Sequence, residues 1–282
     1  MKTVAVIGAG AMGRGIAQVS ALAGYEVILY DVFEPALNNA ITLITASIDK
    51  GVARGKIEAA TAVRAQNNLR ITHFLDDAAQ ADLVIEAAPE DLRVKHDIFA
   101  RLDAVAPRHT LLASNTSSLS INSLAGSTHR SDRFLGLHFF NPPHLMQLIE
   151  IIAGDDTSAT TVAQAKEYVS RVGKTAVFCK DTPAFIVNRV ARPFYGEAFR
   201  LLGEGVADVA TIDRLIKSLG FRMGPFELID LIGCDVNLAV TQSVYDAYFQ
   251  EPKYRPHPIQ QRMVESGRLG RKTGRGFYDY RE

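Results

Sequence analysis

The sequence predicts an α/β domain built on a doubly wound, mostly parallel sheet, followed by an all-helical domain. Three observations predict it. Strand-like and helix-like segments alternate as far as Pro183, a glycine-rich turn joins the first strand to the first helix, and the strand signal fades beyond Pro183. Thr3 to Ile7 is a short β-branched run of the kind that is buried on both faces of a sheet. Ile16 to Ala23 gives an apolar helical face, and Tyr25 to Tyr30 returns as a second strand ending at Asp31, which makes a βαβ unit. Residues 36–70 read as a helical hairpin: Pro35 suits a first helical turn, and Leu37, Ile41, Ile44 and Ile48 recur at helical spacing. Strands follow at 81–88, 110–114, 134–139, 146–152 and 175–180, with helices at 91–104, 119–125 and 158–171. Four helices are predicted after the boundary, at 184–202, 208–219, 225–232 and 235–249, giving domains of residues 1–183 and 184–282.

Composition excludes several classes. The 282 residues carry 31 basic and 31 acidic side chains, so no net charge draws the whole molecule to nucleic acid or an anionic membrane. Two distant cysteines, Cys179 and Cys234, make neither a disulfide framework nor a thiolate metal site, and suit a reducing cytoplasm. The apolar start after Met1 and Lys2 faintly imitates a signal peptide, but Gly8, Gly10, Gly13 and Gly15 interrupt it. No run approaches the roughly 18 apolar residues of a membrane span. The expectation is a soluble, cytoplasmic protein without a metal centre.

Gly8, Gly10 and Gly13 form a GxGxxG turn, with Ala11 and Met12 opening the helix behind it. The glycines permit a tight turn, close backbone approach to a pyrophosphate, and close helix–strand packing, while the helix N-terminus faces the anion. Asp31 ends the second strand 23 residues after Gly8, where a carboxylate accepts the ribose hydroxyls of NAD and repels a 2′-phosphate. Val32 and Phe33 follow it, so the chain offers no adjacent arginine to NADP.

Among seven histidines, His138 alone lies inside a strand-like apolar run. The Pro142-Pro143 reversal and a second strand carrying Glu150 follow, so the two side chains, 12 residues apart, can meet. Glu150 then holds one imidazole nitrogen and leaves the other as a general base. Pattern alone leaves this reading level with a buried histidine satisfied for structural reasons. The Ser114-Asn115-Thr116-Ser117-Ser118 segment after a strand faces a ligand at the sheet's carboxyl edge or caps the helix that follows.

These residues resemble the short-form L-3-hydroxyacyl-CoA dehydrogenase family, whose members include 3-hydroxybutyryl-CoA dehydrogenases. The likeness runs nearly end to end: VIGAGAMGRGIAQ at 6–18, DLVIEAAPE at 82–90, SNTSSLSI at 114–121, HFFNP at 138–142, IVNR at 186–189, MGPFELIDLIG at 223–233 and GRLGRKTGRGFYDY at 267–280. The resemblance implies a Rossmann-like first domain with a hairpin insertion and a helical second domain that dimerises. It implies NAD as cofactor, an acyl-CoA substrate and a His138–Glu150 base pair, with Ser117 and Asn188 contacting the substrate's oxygens. Glu90, Lys95, Ser117 and Asn141 fall on cofactor-site positions, and Ser47, Lys50 and Arg54 on a hairpin face that meets coenzyme A.

Two departures stand out. Ala184 replaces the usual glycine of TPGF, a minor change unless that backbone needs positive φ. Arg192, one helical turn after Asn188, replaces an aliphatic residue and could meet a distal carboxylate on the acyl chain. VNRVARPFYGEAF also resembles longer relatives in phenylacetate breakdown that handle 3-hydroxyadipyl-CoA. The competing reading makes Arg192 an ion-pair partner of Glu197 or another acid at a surface or dimer interface. The rival functions are a Rossmann dehydrogenase with a lysine base and a catalytically silent, crystallin-like relative.

Overall fold

A computed structural model describes residues 1–281. The chain divides into two compact units, Met1–Thr182 and Pro183 onward.

The first unit is organised by an eight-stranded sheet. β1 (Thr3–Ile7) and β2 (Glu26–Tyr30) flank α1 (Ala11–Leu22), and the hairpin follows as α2 (Glu34–Ala53) and α3 (Ala59–Asn67). Then come β3 (Leu69–Thr72), α4 (Leu75–Ala79), β4 (Leu83–Glu86), α5 (Leu92–Val105), β5 (Leu111–Ser114) and α6 (Ile121–Ala125). β6 (Phe134–Phe139), β7 (Leu148–Ala153), α7 (Ala159–Arg171) and β8 (Thr175–Lys180) complete the unit. The order is β3-β2-β1-β4-β5-β6-β7-β8, and every pairing is parallel except β6 with β7. The strand order reverses between β1 and β4, which opens a crevice at their carboxyl ends. β4, β5 and β6 are buried throughout, as parallel strands covered by helices on both faces must be.

β3 was not expected, because the hairpin was extended to residue 70. It is a four-residue edge strand whose Arg70 and Ile71 are exposed, so it lacks the apolar run that marks the buried strands. Arg70 consequently belongs to the sheet edge and not to the helical hairpin.

The second unit contains α8 (Val187–Gly203), α9 (Val209–Ser218), α10 (Pro225–Ile232), α11 (Cys234–Ala247) and a helix the sequence reading omitted, α12 (Pro258–Glu265). Two buried carboxylates secure its last segment. Asp230 accepts the amides of Phe277 and Tyr278, and Asp213 accepts the Tyr278 hydroxyl together with the amides of Phe226 and Glu227. A Cβ at Gly276 would lie 2.0 Å from Asp230 Oδ1, which accounts for the glycine in that segment.

At the start of the second unit Ala184 has φ 66° and Phe185 φ 50°. The alanine is therefore not a minor change. Left-handed backbone costs an L-residue roughly 1–2 kcal/mol that glycine avoids. Among the described residues no helix is long and apolar enough to cross a membrane.

Candidate active site

The carboxyl ends of β1 and β2 build the first part of the site. Gly8 has φ 108°, and a Cβ there would lie 2.7 Å from the Ala87 carbonyl at the end of β4. A Cβ at Gly13 would lie 1.8 Å from the Gly8 carbonyl oxygen, so only glycine lets α1 start so close to the turn. Gly10 is different: nothing stands within 4 Å of its missing Cβ, and the backbone there is open to a ligand. Ala11 and Met12 form the first turn of α1 beside it.

Asp31 is fixed by two backbone donors, Ala9 N to Oδ2 at 2.7 Å and Phe33 N to Oδ1 at 3.0 Å. Each carboxylate oxygen keeps a second lone pair for a ribose hydroxyl. A cavity of about 340 Å³ lies beside it, lined by apolar Ile7, Val32, Leu75, Val94 and Ile98. Asp97 and Arg101 also line it, and the sequence reading missed them. Their spacing with Val94 and Ile98 (i, i+3, i+4, i+7) puts all four on one face of α5, a signal that was legible.

His138 and Glu150 occupy directly opposed positions on β6 and β7. His138 Nδ1 donates to Glu150 Oε2 at 2.7 Å; the histidine is 6% exposed and the glutamate fully buried. An acceptor-only carboxylate at Nδ1 fixes the tautomer and makes Nε2 the basic nitrogen. Phe140 packs against the imidazole, with ring centroids 4.5 Å apart. His144, in the reversal, is exposed and has no carboxylate partner among the described residues; burial, then Lys174 and Arg14, push its pKa below the ordinary imidazole range.

The ends of β4 and β5 carry a third group. Glu90 Oε1 accepts from Thr116 Oγ1 at 2.6 Å, from Ser117 N at 3.0 Å and Oγ at 3.4 Å, and from Ser118 Oγ at 3.1 Å. Burial alone would raise the Glu90 pKa, but Lys95 and these hydrogen bonds outweigh it and hold the carboxyl below its usual range. Capping falls to neighbours: Thr116 Oγ1 takes Leu119 N and Ser120 caps α6, while the Ser117 side chain turns to Glu90. Asn115 Oδ1 accepts Phe139 N at 2.9 Å and ties this loop to β6. Lys95 is 1% exposed and pairs with Glu86 at 2.5 Å and Glu90 at 3.3 Å. Glu86 is a further missed residue, although a carboxylate inside the apolar run DLVIEAA is the same signal that singled out Glu150. Asn141 is exposed just past β6.

On the hairpin, Ser47 accepts from Gln18 Nε2 at 3.0 Å, while Lys50 and Arg54 are exposed. α2 ends at Ala53, so Arg54 is its C-cap and not a third residue on a continuous helical face. Asn188 is the second residue of α8. Arg192 overturns its ion-pair reading. It is 5% exposed, donates to Asn188 O, Asn237 O and Thr241 Oγ1, and lies over the Tyr195 ring, whereas Glu197 pairs with Arg200. Burial lowers the Arg192 pKa to about 10, and no acid lies within 4.0 Å among the described residues.

A doubly wound sheet with this glycine turn and a carboxylate closing β2 defines a dinucleotide-binding domain, here with a histidine–glutamate pair on β6 and β7. Residues 3–182 match the 3-hydroxyacyl-CoA dehydrogenase NAD binding domain and residues 185–280 the C-terminal domain of the same enzymes. The chain belongs to the 3-hydroxyacyl-CoA dehydrogenase family. It is 49% identical over its whole length to the 3-hydroxyadipyl-CoA dehydrogenase of Escherichia coli, of which it spans only 59%. It is 44% identical to the 3-hydroxybutyryl-CoA dehydrogenase of Bradyrhizobium diazoefficiens, spanning all of this chain and 96% of that one. The crystal structure of (S)-3-hydroxybutyryl-CoA dehydrogenase from Ralstonia eutropha superposes with a TM-score of 0.96 at 40% identity, covering 100% of both chains.

The cofactor is NAD, and the open face at Gly10 and the Asp31 cavity fit it. Asp31→Ala should weaken NADH binding at least tenfold in a fluorescence titration, and an unchanged Kd would remove Asp31 as the ribose anchor.

Proposed function

We propose that the protein catalyses reversible, NAD-dependent oxidation of (S)-3-hydroxyacyl-CoA to 3-ketoacyl-CoA. The observation that carries this reading is the His138–Glu150 hydrogen bond near the carboxyl edge of a dinucleotide-type sheet, the edge where ligands of such sheets sit. Bound at this turn, NAD would supply the acceptor for the hydride that leaves C3. His138 Nε2 removes the proton of the 3-hydroxyl as that hydride departs. Glu150, buried and accepting from Nδ1, stabilises the imidazolium and keeps the ring from turning. Ser117 and Asn188 contact the substrate's oxygen functions, with Ser117 oriented by Glu90. Gly8, Gly10, Ala11, Met12 and Gly13 receive the pyrophosphate, and Glu90, Lys95 and Asn141 line the remainder of the cofactor site. A lysine base is disfavoured by the engagement of buried Lys95 with two carboxylates.

Ser47, Lys50 and Arg54 meet the phosphates of coenzyme A, for which exposed cations near the end of α2 are suited. A second reading of the substrate, an acyl chain with a distal carboxylate as in 3-hydroxyadipyl-CoA, is carried by Arg192, a buried cation without an acid partner among the described residues. The second unit acts as a homodimer interface, in keeping with its exposed Val190, Leu219, Phe221, Leu231 and Phe249. The free thiols of Cys179 and Cys234 suit the cytoplasm.

Following absorbance at 340 nm with acetoacetyl-CoA and NADH tests the reaction. His138→Gln should retain NADH binding and lose roughly 10²–10⁴-fold in kcat; turnover within a few-fold of wild type would require another base. Reversing charge at both Lys50 and Arg54 should raise KM for acyl-CoA and spare NADH, whereas equal loss of both or of neither would discredit the hairpin site. In a panel of acyl-CoA substrates, Arg192→Leu should reduce kcat/KM for the dicarboxylic substrate selectively. Parallel behaviour of 3-hydroxyadipyl-CoA and 3-hydroxybutyryl-CoA in both proteins would dispose of the carboxylate reading.

A further inference from the structure

Glu86 closes β4, is fully buried and has no part in the chemistry proposed above. Its carboxylate collects three donors: Lys95 Nζ at 2.5 Å, Ser114 Oγ at 2.6 Å and Ala88 N at 2.6 Å. Lys95 is itself 1% exposed, and its other carboxylate, Glu90, is farther away at 3.3 Å. Glu90 in turn holds Thr116, Ser117 and Ser118 through one oxygen. One line of contacts thus runs from a carboxylate inside the sheet, through a single ammonium, to the loop that bears Ser117.

The charges explain why the order of these contacts matters. A buried ammonium must stay next to a counter-charge, and losing one partner of a buried pair is costly. With Glu86 ionised, Lys95 is drawn into the sheet and Glu90 Oε1 is left to the loop. With the Glu86 charge removed, Glu90 is the one carboxylate within reach of Lys95 among the described residues. The ammonium then competes with three hydroxyls and an amide for the same group.

We propose that Glu86 is a positioning residue of the active site: it fixes Lys95, and through it Glu90 and Ser117, without touching substrate or cofactor. The proposal rests on the dehydrogenase reading of the site. Its general basis is that residues in one hydrogen-bonded charge network act together and not additively.

Glu86→Gln preserves shape and removes the charge. Measured well below its Tm, this variant should bind NADH roughly 10–100-fold more weakly by fluorescence titration and turn over more slowly, as expected for a lost hydrogen bond to a charged group. Its pH–rate profile should keep the wild-type shape, because the His138–Glu150 pair is untouched. Glu86→Asp, which keeps the charge on a shorter side chain, should recover most of the NADH affinity that Glu86→Gln loses. Should Glu86→Gln not fold, Glu86→Asp carries the comparison against wild type and should show a few-fold loss of NADH affinity. Ser114→Ala, which withdraws one donor from Glu86 and also the acceptor of Thr116 N, should show the same defects at a few-fold size.

A folded Glu86→Gln protein with wild-type NADH affinity and kcat, altered only in Tm, would overturn the proposal. A Glu86→Asp protein as defective as Glu86→Gln would do the same. Wild-type protein that fails to bind NADH would sink the dehydrogenase reading and this one with it. Tight NADH binding by both wild type and Glu86→Gln sinks this one alone.

Discussion

The antiparallel joint between β6 and β7 is the constraint on which the site depends. A short reversal can return the chain only antiparallel to the strand it leaves; a parallel neighbour would need a crossover of a dozen or more residues. The reversal aligns His138 with Glu150, and a slip of one residue would turn the glutamate to the other face of the sheet. Gly136 protects that register. It faces Ile152 two positions before His138, and a Cβ there would approach Ile152 and Ile121 to within 2.9 Å. The reversal is also tied to the glycine turn, because Gly15 lets α1 approach Pro143 where a Cβ would lie 2.7 Å from the ring. Base and cofactor turn are therefore positioned by one packed body.

The same edge of the sheet holds charges that water would otherwise solvate. Glu150 and Glu86 are fully buried and Lys95 nearly so. Each stays ordered because its partners lie within hydrogen-bond distance, and removing any partner would strand a charge in a low-dielectric interior. Burial raises the Glu86 pKa, with Lys95, Ser114 and Ala88 acting against that rise. Arg192 meets the problem differently, with carbonyl and hydroxyl acceptors and the face of Tyr195 in place of an acid. That arrangement leaves its charge uncompensated, and burial depresses its pKa accordingly.

Much of this was legible in one dimension. The glycine turn, Asp31 and the buried strands follow from local rules: residue spacing, β-branched runs, and a carboxylate or histidine inside an apolar segment. The edge strand β3 was not legible, because its exposed side chains imitate a loop. Nor was the end of α2 at Ala53, which moved Arg54 off the shared face. The need for positive φ at Ala184 was raised by the sequence as a condition and met only in the structure.

By itself the sequence determined most of the order of elements and the dinucleotide turn, and put His138 and Glu150 within reach of each other, since each rests on periodicity or on residue types close in the chain. Tertiary structure decided what depends on distant segments meeting. It placed Asp97 and Arg101 beside Asp31, gave Lys95 to Glu86 as well as Glu90, and turned Arg192 inward. The physical reason is that side chains meet according to which strand or helix packs against which, and that neighbour is set by the fold; for Lys95 and Arg192 burial makes a partner obligatory.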